Sequence, residues 1–131
     1  MTAHSARCAC GALVLSCEGE PALVSACHCD ECRRRTGSMF GVAVFFDQDR
    51  VSVSGEHHLF ARPSDSGFPV EHGFCPTCGS TVFWRARRKA GTIAVALGAF
   101  DRPERFDLDK QAYPERCWSR LALDSRDRRQ A

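Results

Sequence analysis

The chain has 131 residues, which fits one domain and leaves little room for two; its 44% hydrophobic and 26% charged content is that of an ordinary globular protein. A net charge of +2 is too small to imply a nucleic-acid partner. The opening MTAHSARCAC lacks the apolar stretch of a secretory signal, and the longest apolar run, MFGVAVFF at 39–46, is far short of a membrane span. The expected compartment is the cytoplasm, where thiols stay reduced, with no membrane partner.

Most of the chain reads as short strands. In ALVLSC (12–17), Leu13, Leu15 and Cys17 fall on one face. Residues 29–36 are the stretch that invites a short helical turn. MFGVAVFF is apolar on both faces, as a buried central strand is. VSVSG (51–55) alternates and ends at a turn glycine, while TVFWRA (81–86) and TIAVALG (92–98) flank a polar RRKAG, as in a hairpin. Pro114 limits any helix near the C-terminus, and DSRDRRQA (124–131) carries charge without apolar periodicity, as a frayed tail does. The expectation is a single, mostly β domain over 1–131.

Nine cysteines are a heavy load, and the odd count fits poorly with a closed disulfide framework. Seven of them fall into three groups: Cys8 and Cys10; Cys27, Cys29 and Cys32; Cys75 and Cys78. In a reduced compartment such clusters favour metal over disulfide. Cys8 and Cys10 share a strand face, and CPTCG (75–79) is a compact zinc-knuckle signature whose Gly79 tolerates unusual dihedrals. Joined, residues 8, 10, 75 and 78 make a four-thiolate structural zinc site that ties the start of the chain to its middle.

The central group differs. Cys27 and Cys29 share a face by strand periodicity, and Cys32 follows Cys29 on the same side of a helical turn, while His28 points to the other side. Three protein ligands with an open fourth position are the arrangement of a catalytic zinc. A closed alternative stands beside it: Cys17, His4, His57, His58 or His72 could supply a fourth ligand and make a second structural site. Cys17 and Cys117 otherwise read as small core residues. Arg33, Arg34 and Arg35 place positive charge next to the surplus negative charge of a zinc–thiolate centre, or hold the carboxylates of an anionic substrate. Thr36, Gly37 and Ser38 offer backbone donors to a ligand or form a simple turn. Arg33, Arg34, Thr36 and Gly37 are accordingly the candidate ligand-binding residues.

The order CACGAL, ACHCDECRRRTGS, FCPTCGSTVFW, ALGAFDRPE resembles the family of glutathione-dependent formaldehyde-activating enzymes and centromere protein V, over about residues 6–118. The resemblance implies a zinc-stabilised β-tent of antiparallel sheets with short helical turns. It implies two zinc ions per chain: a structural one on Cys8, Cys10, Cys75 and Cys78, and a catalytic one on Cys27, Cys29 and Cys32. It implies a carbon–sulfur lyase activity, joining formaldehyde to the small-molecule thiol glutathione as S-(hydroxymethyl)glutathione. Asp30, Glu31 and His28 lie near enough in sequence to move a proton, with none standing out. Members often carry a histidine, an aliphatic and an aromatic residue before the terminal tryptophan; Gln111, Ala112 and Tyr113 stand there instead, with Trp118 retained, which locates the difference at the substrate pocket wall. The centromere branch implies the alternative of a non-catalytic zinc module that binds a protein partner.

Overall fold

The computed structural model of the chain describes residues 2–64, 67–86 and 89–126. The strands are β1 (Ala3–Arg7), β2 (Val14–Glu18), β3 (Leu23–Cys27), β4 (Gly41–Asp47), β5 (Val51–Ser54), β6 (His58–Arg62), β7 (Val70–Phe74), β8 (Thr81–Ala86), β9 (Thr92–Ala96) and β10 (Lys110–Ala112). The helix α1 (Asp30–Thr36) interrupts them once. They form two sheets: β1-β2-β5, and β10-β3-β4-β9-β8-β7-β6. Every pairing is antiparallel except one, β10 against β3. The mostly β expectation holds, with that parallel edge as an addition.

Side-chain alternation explains how the sheets meet. Leu15 and Cys17 of β2 point inward with Leu13 just before them, as their spacing predicts, and none of the three is exposed. They pack on Val44 and Phe46 of β4, Val82 and Phe83 of β8, and Ile93 and Val95 of β9, so the main core lies between the two sheets. β4 is flanked by β3 and β9 and buried along most of its length, as a strand apolar on both faces should be. The β8–β9 hairpin forms as expected, with Phe83 opposite Val95 and Trp84 opposite Ala94, although residues 87–88 of its turn lie outside the described residues.

The seven-residue α1 is short and amphiphilic by charge. Cys29 caps its start, accepting at Sγ from the Cys32 N–H at 3.4 Å; Asp30 and Glu31 occupy the first turn and Arg33, Arg34 and Arg35 the last, as the helix dipole favours. Gly37 ends it at φ +73, its N–H donating to Arg33 O at 2.9 Å.

The described part of the expected tail, residues 124–126, is tied to the domain. Ser125 is buried, the Arg126 N–H donates to Leu108 O at 2.9 Å, and the Arg126 guanidinium pairs with Asp107 at 2.6 Å. The rest of that segment, 127–131, lies outside the described residues. No helix among the described residues is long and apolar enough to cross a membrane.

Candidate metal centres

The first centre is built from two turns. After β1 the chain doubles back, with Cys8 N–H donating to Leu13 O at 3.0 Å and Leu13 N–H donating to Cys8 Sγ at 3.2 Å. After β7, Gly79 N–H donates to Cys75 O at 2.8 Å and Gly79 adopts φ +80, so the knuckle closes on the conformation that only glycine enters freely. The Ala9 N–H donates to Ser80 Oγ at 3.1 Å and fastens the turns to each other. Cys8, Cys10, Cys75 and Cys78 then bring their sulfurs within 4.8 Å of one another. Cys8 to Cys10 is 3.6 Å and Cys10 to Cys75 is 3.7 Å. A tetrahedron with zinc–sulfur bonds of about 2.3 Å has edges of about 3.8 Å, so the donor set fits zinc in both chemistry and size. Donors from the Ser80 hydroxyl, the Ser80 N–H and the Cys10 N–H bring the Cys78 thiol down to about 5, favouring the thiolate a metal needs.

The second centre gathers Cys27 at the end of β3, Cys29 at the helix cap and Cys32 in the first turn of α1, again with all sulfurs within 4.8 Å. The strand-then-helix construction read from the spacing is what is seen. Hydrogen bonds from the Cys27 and Cys32 thiols, then from the Cys32 and Glu31 backbone, take Cys29 down to about 2, while Cys27 is pushed up by its hydrogen bonds with Cys29 and Cys32 and then by burial. The trio's negative charge thus settles on Cys29. Among the described residues no fourth histidine, cysteine or carboxylate joins the trio. The five residues weighed as a fourth ligand lie elsewhere. Cys17 is a core residue that burial pushes up to about 12. His4 lies 4.7 Å, centroid to centroid, from Phe106; His57 bonds to Gly55 O at 3.1 Å; His58 stands edge-on to Phe74; His72 accepts from Arg62 Nε at 3.0 Å. Cys117 belongs to neither centre and turns its thiol toward Trp118 O.

Of the three arginines, Arg35 is the one that returns to the trio. Its guanidinium stacks on Trp84 at 4.2 Å from the ring centroid, and burial lowers its pKa against the opposing charge of Cys32. Arg33 lies 3.8 Å from Asp30 on the exposed side of α1, and Arg34 is exposed. Thr36 spends its hydroxyl locally, donating to Cys32 O at 2.9 Å and accepting from Ser38 N–H at 3.0 Å, and Gly37 serves as the helix cap. Asp30 and Glu31 are half-exposed or more, whereas His28 is buried and bonded through Nε2 to Gln111 Oε1 at 2.8 Å. A cavity of about 680 Å³ is lined by Arg35, Thr36, Phe40 and Gly41 together with Gly79 and Ser80. It therefore borders the surroundings of both centres, and none of the seven clustered cysteines is among its lining residues. The sequence offered no signal for Ser80, for the pairing of Gln111 with His28, or for the stacking of Arg35 on Trp84.

A family model described as "Glutathione-dependent formaldehyde-activating enzyme" matches residues 3–116. The chain belongs to this family. Among solved structures, a protein of Rhodobacter sphaeroides is 24% identical with a TM-score of 0.58, over 74% of this chain and 87% of that one, a likeness of fold. No curated protein matches the chain.

Proposed function

We propose that this family member is a zinc-dependent carbon–sulfur lyase that joins glutathione to formaldehyde. The observation that carries the reading is the trio: three convergent thiols on a strand end and a helix cap, with no fourth protein ligand among the described residues. Cys27, Cys29 and Cys32 would hold the reactive zinc, and Cys8, Cys10, Cys75 and Cys78 the structural one. A zinc at the trio would supply Lewis acidity, polarising a carbonyl oxygen or stabilising a substrate thiolate.

The chain's own residues do the rest. The carbon–sulfur bond forms as the carbonyl π bond breaks, and the thiol proton ends on the new hydroxyl oxygen, so no oxidant or reductant is needed. Cys29, held as thiolate by its neighbours' donors, would offer one charged ligand at once, while Cys27 and Cys32, both raised, would release their protons as a metal binds. Arg35, fixed between Trp84 and the trio, sets a positive charge beside the developing oxyanion and the surplus thiolate charge. The helix cap and the β3 register fix Cys27 and Cys29 before any ligand arrives.

The test is turnover with glutathione and formaldehyde, together with metal content. The wild-type chain should hold two zinc ions, one released by mild chelation along with activity. Cys29→Ser should lose that zinc and all turnover yet keep the fold. Two equally resistant zinc ions, or a Cys29→Ser variant that still turns over, would end the reading. The alternative of a protein-binding zinc module draws on Leu59 and Phe60, 51% and 59% exposed on the edge strand β6; it requires two tightly held metals and no turnover.

A further inference from the structure

Arg35 also lines a second cavity, of about 350 Å³, together with Arg34, Arg62, His72, Phe60 and Phe74. Three guanidinium groups face it against one carboxylate, that of Glu31, which lies 3.8 Å from Arg62 Nε. Its wall has a surplus of hydrogen-bond donors. Arg62 Nε donates to His72 Nε2 at 3.0 Å, so the His72 proton sits on Nδ1. That Nδ1–H is buried with no acceptor, and so is the Nε–H of Arg35. His72 itself is 5% exposed and stays neutral, held down to about 4 by burial and then by the charges of Arg62 and Arg35. A buried donor without an acceptor costs free energy, and the three guanidinium groups that line the cavity leave donors for a ligand with several lone pairs. Phe60 and Phe74 add apolar surface for a short aliphatic stem. Arg35 also stands within electrostatic reach of Cys32, so a ligand held here ends one side chain away from the trio.

We propose that this arginine-lined cavity holds a carboxylate of the thiol substrate and thereby selects thiols that carry one. The proposal takes its ligand from the thiol-plus-aldehyde reading above. Carboxylate matches the planar fork of a guanidinium and brings about four lone-pair sites. Neither Arg34 nor Arg62 touches the reacting atoms; both are binding residues.

The experiment uses the zinc-loaded protein and a thiol-free analogue, γ-glutamyl-2-aminobutyryl-glycine, with calorimetry as the readout. Because Arg34 is exposed, its replacement leaves the fold alone, and circular dichroism checks this. Arg34→Ala should weaken analogue binding about tenfold, with Arg34→Lys regaining part of it. The same variant should raise KM for glutathione by a similar factor with kcat within about twofold, and should leave turnover of 2-mercaptoethanol, which has no carboxylate, unchanged. Equal analogue binding in wild type, Arg34→Ala and Arg62→Ala would overturn the proposal, as would an equal loss with 2-mercaptoethanol. Inorganic phosphate displacing the analogue at lower concentration than free carboxylates would also overturn it. If wild type makes no adduct but binds the analogue in an Arg34-dependent way, the reaction falls and the carboxylate site stands. If wild type turns over glutathione and the analogue fails to bind at millimolar concentration, the reaction stands and the site falls.

Discussion

Replacing Cys75 by serine should unfold the protein at room temperature. Cys75 has no exposed surface, belongs to the core between the sheets, and carries one corner of the four-sulfur centre. That centre fastens the turn after β1 to the turn after β7, and hence the three-stranded sheet to the seven-stranded one. Structural zinc contributes about 10–16 kcal/mol of folding free energy in small domains, while the net stability of a domain is about 5–15 kcal/mol. Losing one of four thiolates weakens most of that contribution, and a serine hydroxyl left without a partner at a fully buried position costs a further ~1–3 kcal/mol. The sum exceeds what a chain of this length holds in reserve. Thermal melts followed by circular dichroism, with metal content measured on the same samples, make the comparison. Wild type should melt cooperatively, Cys75→Ser should show no cooperative transition, and a strong chelator should convert the first curve into the second. A Cys75→Ser melt within about 5 °C of wild type, roughly the shift expected for 1 kcal/mol, would refute a stabilising metal at this centre.

Two further outcomes follow from the surroundings of the trio. A Cβ on Gly41 would stand 2.6 Å from Arg35 Nη2, the free end of a flexible side chain, so Gly41→Ala should move the guanidinium off Trp84 at a stability loss of only about 1 kcal/mol. Trp84 emission should change and turnover should fall about tenfold, worth about 1.4 kcal/mol in the barrier; unchanged emission and rate would show that Arg35 sits elsewhere. His72 titrates below its ordinary 6.5, at about 4, because burial and then Arg62 and Arg35 disfavour its charged form. The unfolded chain therefore takes that proton first, and the stability lent by neutral His72 is present above about 6.5 and drains away down to about 4. Denaturant midpoints measured across that window should fall less steeply in His72→Gln than in wild type, and parallel slopes would contradict the assignment.

The cysteine groups were legible in the sequence because ligand spacing is local, three around a helical turn and three across a knuckle; Cys8 and Cys10, expected on one strand face, instead come together in the turn after β1, where the Gly11 N–H donates to Cys8 O. The inward face of β2, the buried β4 and the β8–β9 hairpin were legible for the same reason, since each writes its burial into an alternation or an unbroken apolar run. Other strands carry no such record. β6 is exposed at four of its five positions, and HLFAR has no inner face to display. In β7, VEHGF owes its burial to neighbours, among them Phe83, whose ring lies 2.2 Å from where a Gly73 Cβ would be. β10 has three residues and pairs in parallel with a strand some 85 positions earlier, Lys110 opposite Ser25. Choosing Arg35 over Arg33 and Arg34 needed the position of Trp84, which lies on β8, far along the chain.

The departure at Gln111 has a different meaning in three dimensions than its place in the motif order suggests. Gln111 is 5% exposed and lines neither of the two cavities beside α1. Its Nε2 donates to Leu123 O at 3.2 Å, which orients the amide and leaves Oε1 toward His28 at 2.8 Å. His28 must then donate from Nε2, and its Nδ1 carries a lone pair with no partner. The next residue, Ala112, accepts from the His28 N–H at 3.1 Å and stands opposite Cys27 in the β10–β3 register. The stretch from 111 to 112 therefore supports the Cys27–His28–Cys29 turn from behind, by one side chain and one carbonyl. A change of residue there alters how firmly two of the three sulfurs are held and how the 121–125 segment is tied down. The carboxylate site proposed above uses none of these residues; its arginines are Arg34, Arg35 and Arg62.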